Sequence, residues 1–199
     1  MFIPTREKVR EVLKRKGYAF FTNGAYNLNL IGIRRSQEAT NRFVDTFMVI
    51  YKTPDGQWHS LAFPCTTAPG WYYLKHGLEK GTAVMKPGQY RGAYQRGTHN
   101  GKVSQYTALV QRKPITVYRD KNKDYHYDYE HPETGLFGVN IHRATKWGVS
   151  EVVDKNSAGC QVLASANDFA TLMHLVGMQI EQGLGNSFTY TLLEEKDFK

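Results

Sequence analysis

Residues 157–193 read SAGCQVLASANDFATLMHLVGMQIEQGLGNSFTYTLL. This stretch opens with a turn of small residues, SAGC at 157–160, and continues into a capped helix. Ser165 followed three residues later by Asp168 is typical of a capping box, which starts a helix by satisfying its free backbone N–H groups. Apolar residues then recur at the spacing of one helix face, at Phe169, Leu172, Met173, Val176 and Ile180. Gly183 ends the predicted helix, which we expect to pack on a sheet.

Strand patterns dominate the rest of the chain. Between Tyr18 and about Tyr118, turn signals such as Pro54-Asp55-Gly56 and Asn100-Gly101 separate short aromatic and β-branched runs. These runs are Phe43–Tyr51, Trp58–Phe63, Trp71–Leu74, Tyr106–Val110 and Ile115–Tyr118. Leu136–Ile141 predicts another strand, and the alternating segment Ser187–Leu193 predicts a final one. We therefore predict a mainly β fold built on antiparallel sheet.

A short helix is predicted at the N-terminus, over residues 5–16. Thr5 is a suitable cap, and Gly17 is a stop signal. The narrow apolar face of this helix consists of Val9, Val12 and Leu13.

Composition agrees with one mainly β domain. A chain of 199 residues is long enough for one well-buried core and short for two ordinary domains, so we predict a single domain over residues 1–199. Aromatic residues make up 13% and charged residues only 22%, a balance that favours strands and turns over long charged helices.

The chain is basic, with 26 Lys and Arg against 18 Asp and Glu. This charge attracts polyanions but does not distinguish nucleic acid, an anionic cell-wall polymer and acidic lipid. The basic residues are dispersed apart from one N-terminal run, Arg6, Lys8, Arg10, Lys14, Arg15 and Lys16. There is no aromatic and basic signature of a nucleic-acid module, so we expect no specific nucleic-acid binding.

No apolar run approaches the ~20 residues that a membrane helix needs. The first residues, MFIPTREKVREVLKRKG, contain no signal-peptide core or cleavage site. We therefore expect synthesis in the cytoplasm, and any action outside the membrane would depend on another export route, on lysis or on a virion. The sequence does not indicate an oligomeric state.

No cofactor or metal is predicted. His126 and His131 lack partners at metal-site spacing, and there is no HExxH motif. The acidic segment Asp120–Asp124 is interpreted as a solvated hairpin turn, because Tyr125 stands where a calcium loop needs glycine.

His142 precedes the SAGC turn by fourteen residues, and this pair is the candidate reactive centre. A thiol is nucleophilic as the thiolate, so Cys160 needs a base, for which His142 is the candidate. Ser157 would brace the turn, Gly159 would allow a close backbone approach or a positive φ, and the N–H groups of residues 159 and 160 could face a developing oxyanion. The spacing alone leaves open that Cys160 is an inert buried residue, which is the simplest interpretation of Cys65.

GVNIH at 138–142, a gap of fourteen residues, SAGC, an apolar pair, a capped helix and a terminal strand together resemble the L,D-transpeptidase catalytic domain (YkuD type). The resemblance covers residues 136–193 in order. Thr67–Tyr72 also resembles the start of a strand in that family, and the whole chain resembles its phage-encoded members. The resemblance implies a β-sandwich-like catalytic fold with a short N-terminal helix and one longer helix after Cys160.

The same resemblance implies a cysteine enzyme that acts on peptidoglycan stem peptides. Cys160 would form an acyl-enzyme, which an amine would convert to a cross-link and water would hydrolyse, as in a carboxypeptidase or endopeptidase. The ring of His142 would be oriented by the backbone carbonyl of Arg143. Arg143, Asn140 and Trp147 are the candidate substrate-binding residues.

Three positions depart from the family pattern. Ala158 replaces the histidine usual before Gly-Cys, Arg143 replaces a small residue, and Val162 replaces a frequent arginine. These changes favour a hydrolase or altered stem-peptide specificity over a standard cross-linking enzyme. Two other classes of protein stay open: a non-catalytic cell-wall-binding or virion structural module that keeps the fold, and a nucleic-acid-binding β protein.

Overall fold

The computed structural model describes residues 1–35, 40–77, 79–100 and 105–199. Its α-helices are α1 (Arg6–Arg15), α2 (Trp71–His76) and α3 (Ala166–Gln179). Its strands are β1 (Asn29–Arg34), β2 (Asp45–Lys52), β3 (Trp58–Thr66), β4 (Thr82–Met85), β5 (Gly88–Asn100), β6 (Gln105–Gln111), β7 (Ile115–Asp120), β8 (Glu133–Gly135), β9 (Ile141–Arg143), β10 (Gln161–Leu163) and β11 (Phe188–Glu194). Short helical turns lie at Asp154–Asn156, Ile180–Leu184 and Glu195–Phe198. Within these ranges, no helix has the length and apolar character needed to cross a membrane.

The main sheet closes into a barrel in the order β1-β11-β5-β6-β9-β10-β3-β2, and β4-β7-β8 form a separate three-stranded sheet. The prediction of a mainly β fold is confirmed. Most neighbouring strands are antiparallel as predicted, but β1 pairs with β11 and β9 pairs with β10 in parallel. The finer expectation from the resemblance, a sandwich-like catalytic fold, stays a prediction.

Two cores flank the barrel wall. The first contains barrel side chains such as Leu192 together with the buried face of α3, which includes Phe169, Leu172 and Val176. On the outside, α1 covers a second cluster made of Val9, Val12, Leu13, Ile31, Ile33, Met48, Ile50 and Leu193. Because β11 lies between these two cores, Leu192 and Leu193 are both buried, although the alternating pattern is also typical of a half-exposed strand.

Both predicted helices are present with their predicted caps. The Thr5 hydroxyl accepts a hydrogen bond from the Lys8 N–H at 3.2 Å, and the Ser165 hydroxyl accepts one from the Asp168 N–H at 3.2 Å. The α-helix itself ends at Gln179, earlier than predicted, and the turn Ile180–Leu184 follows it. Gly183 breaks the helical geometry inside that turn, with a φ of 75° that glycine adopts at little cost.

Two predicted strands are wrong in part or in whole. Trp71–Leu74 belongs to helix α2, which starts at Trp71 after its N-cap Gly70, and β3 has already ended at Thr66, so Thr67–Tyr72 is not the start of a strand. Its aromatic composition favours a strand, but packing against the turn at Asp154–Asn156 overrides that preference. Residues 136–140 have no regular structure, and the strand that carries His142 covers only Ile141–Arg143.

The predicted turns agree with the structure only in part. The turn at Pro54-Asp55-Gly56 joins β2 to β3 as predicted, whereas Gly101 of the second turn lies outside the described residues. The solvated turn at Asp120–Asp124 is exposed from residue 121 onward, but Asp120 itself is buried at the end of β7.

Candidate active site

The parallel pair β9 and β10 brings the two motifs together. Val162 lies beside His142 in the strand register, and the Gln161 N–H donates to the Asn140 carbonyl at 2.9 Å. Cys160 therefore lies one strand across and two residues back from His142. With strands about 4.8 Å apart and a rise of about 3.3 Å per residue, their Cα atoms are about 8 Å apart. At this separation a cysteine and a histidine on one face of a sheet can meet.

The SAGC turn is fixed by its own side chains. Ser157 Oγ accepts a hydrogen bond from the Gly159 N–H at 3.1 Å and donates one to the Cys160 carbonyl at 2.8 Å, so it braces the turn. Gly159 has a φ of 122°, and a Cβ atom there would lie 2.3 Å from the Ala83 carbonyl oxygen. Only glycine fits this position. The Gly159 N–H is used inside the turn, however, so it does not face an oxyanion as the sequence analysis expected.

A buried glutamine, Gln161, holds the SAGC turn through hydrogen bonds of its side-chain amide. The Gln161 amide nitrogen donates to the Gly159 carbonyl at 3.2 Å and to the Thr67 carbonyl at 3.4 Å, and its oxygen accepts from the Tyr190 hydroxyl at 2.8 Å. Gln161 belongs to neither of the two motifs from which the site was predicted. The available signal was a polar residue in an otherwise apolar strand, since a fully buried amide needs internal partners.

Cys160 is partly buried, and its thiol lies among backbone groups. It accepts a hydrogen bond from the Asn140 N–H at 3.4 Å and donates one to the Gly138 carbonyl at 3.6 Å. Burial raises the pKa of the thiol to about 11, an effect that the Asn140 N–H only partly offsets. With this pKa the thiol is protonated near pH 7. Among the described residues, Cys160 and His142 share no hydrogen bond, and the thiol donates to the Gly138 carbonyl instead.

His142 is buried and held by the carbonyl that follows it. Its Nδ1 lies 2.9 Å from the Arg143 oxygen, which is the contact implied by the family resemblance. Because a carbonyl only accepts, Nδ1 carries the proton and Nε2 presents a lone pair. Burial, and then the neighbouring His99, lower the pKa of His142 to about 4, so the ring is neutral near pH 7. The Tyr106 hydroxyl lies 3.3 Å from both Nδ1 and the Arg143 oxygen.

A second imidazole, His99, stacks on the first. The two ring centroids are 4.3 Å apart and the ring planes differ by 17°. His99 is carried by β5 and also contacts Asn140, whose amide nitrogen lies 3.0 Å from His99 Nδ1. Sequence analysis missed His99 because no motif surrounds it and β5 itself was not predicted: its glycines and polar residues give little strand signal.

The candidate substrate-binding residues divide into two groups. The guanidinium of Arg143 lies 4.3 Å from the centre of the Tyr106 ring, and Asn140 links Cys160 to His99, so both belong to the site. Trp147 is 77% exposed on the loop between the two motifs. Among the described residues, its hydrogen bonds and ring contacts are local, with Thr145 and Lys146.

The second cysteine and the potential metal ligands do not belong to this site. Cys65 is fully buried in the barrel core, where burial raises the pKa of its thiol. Over the part of the chain that the structure describes, no three His, Cys, Asp or Glu side chains are grouped to hold a metal ion.

Comparison with known proteins returns no relative. No protein-family model, no curated protein and no solved structure matches the chain.

Proposed function

We propose that this protein is a cysteine acyltransferase or peptidase of the L,D-transpeptidase type, acting on peptidoglycan stem peptides through a Cys160 acyl-enzyme. In this proposal the barrel with α3 is a version of that family's catalytic fold. The observation that carries it is the ring of His142, held in the Nδ1–H form by the next carbonyl on a strand parallel to, and adjacent to, the strand after Cys160. The lone pair on Nε2 is then available to accept the thiol proton.

The acylation step follows from these groups. The thiol rotates about its Cα–Cβ bond away from the Gly138 carbonyl and transfers its proton to His142 Nε2. The sulfur attacks the carbonyl carbon that precedes a D-residue, and the C=O electron pair moves onto the oxygen. Collapse of this intermediate breaks the C–N bond, and the leaving amine takes the proton back from His142. Water or an acceptor amine then cleaves the thioester by the same steps in reverse.

Cys160 and His142 are both neutral in the free protein, and this determines when the proton is transferred. With a thiol pKa of about 11 and an imidazole pKa of about 4, the free protein holds thiol and imidazole rather than an ion pair. Proton transfer must therefore accompany attack on bound substrate, in which His142 acts as a general base. In this proposal the Cys160 N–H donates to the oxyanion, because the Gly159 N–H is bound to Ser157.

A second function is favoured by one observation. The thiol donates to the Gly138 carbonyl instead of contacting His142, which is also the arrangement expected of an inactive centre. A non-catalytic cell-wall-binding or virion structural module would keep this geometry. It predicts that Cys160→Ala leaves binding to purified peptidoglycan sacculi and biological function unchanged.

Intact-mass spectrometry after incubation with a carbapenem tests the proposal, since this β-lactam presents an acylating carbonyl. One adduct is expected on the wild type and on Cys65→Ala, and none on Cys160→Ala. Cys65→Ala is the matched control, because it removes the other thiol of the chain from a fully buried position.

Adduct formation on Cys160→Ala at the wild-type rate would contradict the proposal. So would a wild-type Cys160 that reacts with iodoacetamide at high pH but with no carbapenem and no tetrapeptide substrate. The second result would favour the binding module.

A further inference from the structure

Asn140 fixes the hydrogen-bonding state of His99. The backbone N–H of Gln111 donates to Asn140 Oδ1 at 2.9 Å, and a backbone N–H can only donate, so the amide oxygen must be on that side. The amide nitrogen of Asn140 therefore faces His99 Nδ1, at 3.0 Å. Because this NH₂ group only donates, His99 Nδ1 is the lone-pair nitrogen and the proton of the neutral ring lies on Nε2.

The two stacked rings are thus held in opposite forms. His142 has its proton on Nδ1 and a lone pair on Nε2, because the Arg143 carbonyl accepts from Nδ1. His99 has a lone pair on Nδ1 and its proton on Nε2. Among the residues that the structure describes, His99 Nε2 has no hydrogen-bond partner, and the ring is half-buried. His142 Nε2 likewise has no hydrogen-bond partner among the described residues, so one ring presents an acceptor and the other presents a donor.

The site needs such a donor. The Gly159 N–H is bound to Ser157 Oγ and Ala158 offers no polar side chain, so the turn has lost one of its backbone donors, and a donor from another strand would replace it. Asn140 places His99 next to the nucleophile, because its own N–H contacts Cys160 Sγ while its side chain contacts His99.

We infer that His99 is a further catalytic residue, whose neutral Nε2–H donates a hydrogen bond to the acyl oxygen of the substrate as negative charge develops there. This inference rests on the proposed function. The proton stays on His99 throughout: the oxygen gains the C=O electron pair on attack and returns it on collapse, and the thiol proton is handled by His142 alone. Protonation of His99 at Nδ1 is opposed by the geometry, since it would direct an N–H at the amide donor of Asn140.

Two variants separate the donor from the ring. His99→Phe keeps an aromatic ring against His142 and removes the donor, whereas His99→Gln places an amide N–H near the position of Nε2. We expect carbapenem acylation of Cys160 to slow by about 10²- to 10³-fold in His99→Phe, the usual effect of losing one oxyanion donor, and to recover most of that loss in His99→Gln.

Iodoacetamide alkylation of Cys160 at the same pH supplies the control, because its transition state develops no acyl oxyanion. Both variants should be alkylated at the wild-type rate. Wild-type acylation rates in His99→Phe would overturn the inference, and so would an equal slowing of acylation and alkylation, which indicates a structural role.

The inference and the proposed function fail in different ways. Absence of acylation in the wild type contradicts the proposed function. Ring ¹⁵N NMR tests His99 independently of any substrate: the expected neutral forms are Nε2–H for His99 and Nδ1–H for His142. An Nδ1–H form of His99 would overturn the inference even in an active enzyme.

Discussion

Acidification tests the environment of His142 through the free energy of unfolding. The pKa of this ring is lowered from 6.5 to about 4, because burial opposes its charged form. In the unfolded chain the ring takes up a proton below about pH 6.5, whereas in the folded protein it does so only below about pH 4. The unfolded state therefore binds more protons in this window, and stability falls as the pH falls through it.

The size of the effect follows from the two pKa values. The full difference corresponds to about 3 kcal/mol, most of which is lost by pH 4.5. Buried carboxyl groups act in the opposite direction: the pKa values of Asp45 and Asp120 are raised by burial, that of Asp120 to about 6, so these groups favour the folded state as the pH falls. The contribution of His142 must therefore be measured as a difference between two proteins.

His142→Asn is the matched variant, because its amide can still donate to the Arg143 carbonyl but does not titrate. Urea unfolding of both proteins is measured at intervals from pH 7.5 to pH 4.5. The wild type should lose about 2–3 kcal/mol relative to the variant over this range, with the steepest change near pH 5. A difference that stays constant with pH would refute the placement of a neutral, desolvated imidazole at residue 142.

Three further predictions concern the turn and its support. Gly159→Ala should lower the free energy of unfolding by at least about 2 kcal/mol, because of its φ of 122° and the contact with the Ala83 carbonyl; an unchanged urea midpoint would contradict this. The iodoacetamide rate at Cys160 should rise about tenfold per pH unit up to about pH 11, as followed by mass spectrometry, and a plateau near pH 7 would show an activated thiolate instead. Tyr190→Phe should cost about 1–3 kcal/mol in urea unfolding by leaving the buried Gln161 oxygen unpaired, and full stability would show that this bond is not needed.

The elements that could be predicted from the sequence are those with a capping residue and an apolar repeat within the element itself. Helix α3 is an example, since Ser165 caps it and its apolar residues recur at helical spacing. Helix α1 is another, with Thr5 at its start. The prediction of a strand over Trp71–Leu74 was wrong, because strand propensity reflects packing on a pleated surface. Here the aromatic residues lie in a helix beside residues 154–156.

The candidate site could also be predicted only in part. His142, Ser157, Gly159 and Cys160 lie in two short motifs, so the order of residue types was enough to find them. His99 could not be found from the sequence, because it reaches the site through the pairing of β5 with β6 and of β6 with β9. The use of the Gly159 N–H inside the turn also depends on a side-chain rotamer, which a residue pattern does not encode.

The most direct test of the proposed function is intact-mass spectrometry of the protein quenched during reaction with a purified disaccharide-tetrapeptide from peptidoglycan. The proposal predicts a thioester adduct of the substrate minus its terminal D-residue on the wild type, absent from Cys160→Ser, together with release of that D-amino acid. Release of the D-residue by Cys160→Ser at the wild-type rate, or no adduct and no release with any stem peptide, would contradict it.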